Sequence, residues 1–296
     1  MLDKDLITNS EQLESNVEDT TEEELSPAQW RARASRIPAD IKESAKQMGR
    51  REARYLVNTY YLIQENRKRA DSQNSELAKR KETIELVDWL ASYSHNQEDH
   101  LKALLLGYAS VHPETQWAMS IRGISGILAS GLLAHIDIER AQTVGSIWRY
   151  AGLDPTSVWG KGEVRPWNAK LKVHCWKIGQ SFAMVKNHPD DIYGKVMQAR
   201  KDYETDLNEK LVYADQAVKR LEDNTISKDT DAYIWYSMGM LPPQQLQTRA
   251  ERYAVKLFLS HYHHVAYEIR FGTPPPKPYI LNQEGHTHFV KPPNWD

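Results

Sequence analysis

From Ile37 onward, apolar residues return at intervals of three and four, and stretches that alternate every second residue are nearly absent. That is the helix period, in which positions i, i+3, i+4 and i+7 share a face. The chain is therefore expected to be all-α. Leu56, Thr59, Tyr60 and Ile63 form a first stripe, flanked by Arg50, Arg51, Arg54, Arg67, Lys68 and Arg69. Ile84, Val87, Leu90 and Ala91 form a second, and Leu101, Leu104, Leu105 and Tyr108 a third that ends near His112-Pro113. The pattern predicts three long helices in an antiparallel hairpin or bundle. Their basic flanks fit a solvated face or a DNA contact surface.

Residues 114–153 break into shorter helices. A loop with Gly160, Gly162 and Pro166 follows, with room for a small hairpin. Helices are then expected from Asn168 to Lys186 and from Asp190 to Asp223, with an irregular link from Asn224 to Met240. Pro242-Pro243 opens a further helix carrying Leu246, Ala250, Tyr253, Leu257 and Phe258, because proline is tolerated in the first turn. Three consecutive prolines within Gly272–Pro278 end helical structure and start an extended tail. The domains read as 1–36, a disordered acidic tail; 37–112, long helices; 113–223, a helix-hairpin-helix domain; and 224–296, a C-terminal helix with a Pro-rich tail.

The formal net charge of −2 conceals a segregation. Met1–Leu25 carries nine acids against Lys4, whereas Arg140–Lys186 carries eight Lys or Arg against Asp154 and Glu163. Local charge decides what a surface attracts, so the basic segment outweighs the average. The acidic segment has too little apolar surface to offset its ordering entropy, hence the expected disorder. Cys175 is the only cysteine, which excludes an intrachain disulfide and a Cys-based zinc knuckle. No apolar run approaches the roughly 18 to 20 residues of a membrane span. The acidic N-terminus lacks a signal-peptide core. These features point to the cytoplasm and to no membrane partner.

The most informative segment is Met119-Ser120-Ile121-Arg122-Gly123-Ile124-Ser125-Gly126-Ile127-Leu128-Ala129. It reads as a helix end, a tight turn and a new helix through Ile136. Gly123 and Gly126 permit positive φ and close backbone approach, and Ile124 between them anchors the turn. The new helix opens with free N–H groups and the positive end of its dipole, both suited to a phosphate oxygen. This is a sequence-independent grip on a nucleic-acid backbone, with Arg122 able to add a charge-assisted contact. A simple structural turn is the alternative. Downstream, the bases Arg149, Lys161, Arg165, Lys170, Lys172 and Lys177 are interleaved with Trp148, Trp159, Trp167 and Trp176. Aromatics among cations stack on bases or serve the core, and Trp148, in an apolar helix, is the first choice for core. The DNA contact set is thus Arg122, Gly123, Ile124, Ser125 and Gly126 with those six cations.

The order of these parts resembles the C-terminal domain of the DEDD-type insertion-sequence transposases related to the Piv DNA invertases. The matching stretch runs from about Trp117 to Tyr203. It is carried by Ile121-Arg122-Gly123-Ile124-Ser125-Gly126, Leu132-Leu133-Ala134-His135-Ile136, Tyr150-Ala151-Gly152-Leu153-Asp154-Pro155 and Gly162 with its basic sequel. The resemblance implies DNA binding in transposition or recombination of a mobile element or phage. Two departures accompany it. Family members carry an N-terminal RNase-H-like domain with four metal-binding acids, whereas the residues before the match here read as helices and tail. The family also places a nucleophilic serine where this chain has Val158-Trp159-Gly160; Ser157 lies two residues upstream, as a catalytic candidate or a turn-capping serine. Mg²⁺ is implied only if the protein cuts DNA.

His261, His263 and His264 fall in one helix, and His286 and His288 in the tail. His261 and His264 share a face, with Glu268 a turn further on. If the tail folds back, His261, His264, His286 and His288 form a candidate Zn²⁺ set; the alternative is that the histidines pack among Tyr262, Tyr267 and Phe289 or contact phosphate. The expected partner is DNA, with a catalytic protein or a guide RNA as further candidates, in a homo-oligomeric assembly. Two other functions stay open: an active recombinase or nuclease completed by a partner, and a structural assembly protein with a degenerate hairpin.

Overall fold

A computed structural model of the chain describes residues 36–82, 84–223, 225–276 and 290–295. The chain divides into two units, 1–38 and 39–296. Of the first only residues 36–38 are described, so the expected acidic tail lies outside the described residues save for Arg36. The fold below is that of the second unit. Its described residues form eleven helices and no strand, as the helical period requires.

Helix α1 spans Ala39–Lys46, α2 Arg50–Lys79 and α3 Glu85–Ser110. Gly49 starts α2, its N–H held by Glu52 Oε2 at 2.8 Å, and Lys81 turns the chain with φ of 59°. Partners across α2 and α3 run in opposite order: Val57 clusters with Leu105, Tyr60 bonds Glu98, and Asp71 meets His95. The two helices are therefore an antiparallel hairpin. The second and third stripes belong to one helix, not two. Residues 92–100 hold no glycine or proline to break it, and their polarity is absorbed at Glu98. This carboxylate is buried and accepts from Tyr60 Oη at 3.0 Å, from Lys102 Nζ at 3.2 Å and from Arg67 Nε. Burial alone would raise its pKa, but Arg67, Lys102 and Tyr60 hold it down to about 2.

The chain continues through α4 (Pro113–Ser120), α5 (Gly126–His135), α6 (Val144–Tyr150) and α7 (Ala169–Val185). Asn168 caps α7, its Oδ1 accepting from the Lys170 and Leu171 N–H groups at 3.0 Å each. The loop before it is built of turns, without a strand. Where one helix is predicted over 190–223 there are two, α8 (Tyr193–Glu209) and α9 (Ala214–Asp223). Leu211, at φ 58°, breaks the run. Just before the break, Asn208 exchanges two hydrogen bonds with the Leu241 backbone, at 2.8 and 3.0 Å. The link predicted as irregular contains α10 (Asp231–Ser237), capped by Thr230. Finally α11 (Pro243–Phe271) stops at Gly272, which takes φ of 69° as its left-handed C-cap.

The main core joins α3 through α8 with α11, while α2 packs through separate clusters around Ala53 and Val57. Ile121, Leu132, Ile147, Leu171, Ile178, Phe182, Tyr193, Phe258 and Val265 meet in it, and Phe258 stands edge-on to both Phe182 and Tyr193. Helix α5 is its axis, with every residue from Leu128 to His135 buried. The last described residues brace the outside: Trp117 Nε1 donates to the Pro293 carbonyl at 2.7 Å, and Trp295 Nε1 to Glu268 Oε2 at 2.7 Å. Among the described residues no helix is long and apolar enough to cross a membrane.

Candidate nucleic-acid interface

Helices α4 and α5 with the turn Ile121–Ser125 form the expected hairpin. Ile121 and Ile124 point into the core, whereas Arg122 and Ser125 are exposed. The two glycines do different things. Gly123 takes φ of 98°, which L side chains rarely adopt. Its carbonyl accepts from Ser181 Oγ on α7, which ties the turn to that helix. Gly126 lets α5 approach α3: a Cβ there would stand 3.2 Å from Leu106 Cα. Ser125 caps α5 by accepting from Leu128 N–H at 3.4 Å. The N–H groups of Gly126 and Ile127 have no acceptor among the described residues.

A groove of about 780 Å³ runs along the turn, with Arg122, Gly123 and Ile124 on one side and Asp190, Asp191 and Lys195 on the other. Its charge is mixed. Asp191 is buried and caps α8 through Oδ1, which accepts from Gly194 N–H at 2.9 Å, while its Oδ2 has no hydrogen-bond partner. Asn294 Nδ2 reaches Ser120 from the C-terminal segment, at 3.1 Å to Oγ.

The basic segment lies mostly on α7 and the loop before it. Lys170, His174, Lys177 and Ser181 follow one another at i, i+4, i+7 and i+11 and so share one face of α7. That face begins at the hairpin turn through Ser181 and ends at Lys170, roughly 16 Å away along the axis. Thus Lys177 and Lys170 are aligned with the turn. Burial lowers the pKa of Lys177, and the nearby Lys68 of α2 lowers it further. Two of the other predicted cations belong to an aromatic cluster. Arg165 sits over Trp159 at 4.7 Å and Lys172 over Trp167 at 4.4 Å. Arg149 pairs with Asp154 at 3.3 Å, and Lys161 is exposed in the loop. Trp148 is half-buried at the edge of the core, covered by Lys256 at 4.2 Å. Trp159 and Trp176 are exposed.

Ser157 lies in the turn that Asp154 organises, its N–H directed to the Asp154 carbonyl at 3.3 Å. Its hydroxyl makes no hydrogen bond among the described residues, and the Asp154 carboxylate in the same turn is taken by Thr156. Of the candidate zinc set, His286 and His288 lie outside the described residues. His261 is saturated: Nε2 faces the Val290 carbonyl at 3.0 Å and must donate to it, so Nδ1 accepts from Tyr193 Oη at 2.6 Å. No ring lone pair is left for a metal in this arrangement. His264 pairs with Glu268 at 3.6 Å. Among the described residues no group of three or more His, Cys, Asp or Glu is placed to hold a metal ion.

Sequence reasoning does not reach a second set of side chains. Asn58 and Tyr61 from α2, His135 from α5 and His174 from α7 line a cleft of about 380 Å³. A lone histidine at the end of an apolar helix, as in Leu132-Leu133-Ala134-His135, is the signal that could have marked it. Comparison with protein-family models, curated proteins and solved structures found no match to this chain.

Proposed function

We propose that the protein binds DNA through the sugar–phosphate backbone, as a cytoplasmic component of transposition or recombination of a mobile element. The observation that carries the reading is the hairpin itself. A turn with Gly123 at positive φ sits at the surface, two N–H groups at the start of α5 lack acceptors, and Arg122 is exposed beside them. Lys177 and Lys170 extend the same line along α7. A strand laid there meets backbone donors at one end and ammonium groups at the other, and neither contact depends on base sequence. The exposed stripe Leu86, Trp89, Leu90 and Tyr93 on α3 supports self-association as part of this reading.

The test is retention of duplex, single-stranded and four-way-junction DNA across a salt series, with and without Mg²⁺. Retention that falls steeply with salt, and that Arg122→Glu combined with Lys177→Glu abolishes in a folded protein, supports the reading. Cutting with Mg²⁺ would favour the recombinase alternative. No retention even at low salt would overturn DNA binding in favour of an assembly role.

A further inference from the structure

The cleft between α2 and α7 differs from the hairpin groove in shape and chemistry. Its wall is Val57, Val173 and Ala169, its floor the imidazoles of His135 and His174, and its mouth carries Lys170 and Lys177. We propose that this cleft binds a small organic anion, a carboxylate or phosphate group on a mostly apolar body.

Three independent observations favour that occupant. First, a volume of about 380 Å³ lies in the range of small-ligand pockets, roughly 300 to 1,000 Å³, and far exceeds what one water needs. Second, His135 is 4% exposed, yet its Nδ1 makes no hydrogen bond. A buried ring nitrogen left unpaired is costly, and the ring that carries it lines the cleft. The neighbouring His174 is not available in the same way. Its Nε2 faces the Leu128 carbonyl at 2.9 Å, and Tyr61 Oη lies 3.4 Å from its Nδ1. Burial holds both imidazoles down to about 4, so they act as neutral hydrogen-bonding groups.

Third, the charges are arranged for an anionic head. Lys177 Nζ lies 4.2 Å over the Tyr61 ring, and Lys170, which also lines the cleft, stands two turns away on the same face of α7. The remaining charges are Glu65, committed to Lys68 at 3.1 Å, and Arg54, committed to the Ala134 carbonyl at 2.9 Å. The rim therefore presents two ammonium groups against one paired carboxylate. The apolar wall behind them accounts for the apolar body, and the Asn58 amide adds a neutral donor and acceptor to the lining.

The experiment titrates the full chain with phenyl phosphate, benzoate, inorganic phosphate and benzyl alcohol, following the ring resonances of His135 and His174 by NMR. Phenyl phosphate or benzoate should shift the His135 signals saturably, and Lys170→Gln combined with Lys177→Gln should weaken binding at least tenfold while the fold persists. Inorganic phosphate binding equally well would overturn the role of the apolar wall. Benzyl alcohol binding equally well would overturn the role of the lysines. No saturable shift of His135 with any probe would overturn the site. No DNA enters this measurement, so its failure and that of the strand-binding reading are separable.

Discussion

The imidazole of His174 lies against the backbone of Gly131: a Cβ at position 131 would stand 2.1 Å from His174 Cε1. This contact lets α7 reach the Leu128 carbonyl across the buried face of α5. Gly131→Ala is expected to destabilise the protein by about 1–3 kcal/mol, the usual cost of overfilling a close-packed site. In a His174→Ala background the added methyl finds space and should cost less. Urea melts of the two single variants and the double one check this; equal costs in both backgrounds would sink it.

Acid should loosen the fold before the carboxylates titrate. Burial holds His174 and His261 down to about 4, against about 6.5 for an unfolded histidine. Below that unfolded value the denatured chain binds protons the native chain refuses, so stability falls as pH drops from about 6.5 towards 4. The expected loss between pH 7 and 5 is on the order of 1–2 kcal/mol per histidine. Stability measured at pH 7, 6 and 5 decides it, and a flat profile contradicts it.

Glu98→Ala removes the acceptor shared by Tyr60, Arg67 and Lys102. Truncating one member of a fully buried ion pair costs about 3–5 kcal/mol. Arg67 retains Asp71 at 2.7 Å and is partly exposed, so a smaller loss, roughly 2–3 kcal/mol, is expected here. Calorimetry should show it as a lowered Tm, and an unchanged Tm would remove Glu98 from the forces holding the α2–α3 hairpin.

If a DNA strand follows α7, Lys177→Ala removes one phosphate contact. For duplex DNA the slope of log affinity against log salt should become shallower by about 0.9. The loss should be similar for unrelated sequences. An unchanged slope would take the strand off this helix.

The hairpin was legible in the sequence because its determinants are local. Gly123, Ile124 and Gly126 sit within four residues, and the isoleucine anchor and helix start follow from their order. The helix caps at Asn168 and Gly272 are local too. The break at Leu211 was not legible, because leucine carries no turn signature, and α8 ends where Asn208 engages Leu241, far along the chain. The polar run before Leu101 looked like a gap between helices because the partners of Glu98 on α2 lie more than thirty residues away. The cleft was hidden for the same reason: Tyr61 and His174 meet across 113 residues. Spacing alone placed His261 in a metal set, since nothing local reveals that Tyr193 and Val290 occupy both its nitrogens.

The brace from Trp117 to Pro293 also sets an order of events at the ribosome. The two residues are separated by 176 positions, so at about 5–20 residues per second the hairpin emerges roughly 9–35 s before its brace is synthesised. Over that interval the Trp117 indole N–H and the Ser120 hydroxyl lack their Pro293 and Asn294 partners. The nascent hairpin then depends on α3, its own turn and, once Ser181 has emerged, α7 to hold its shape.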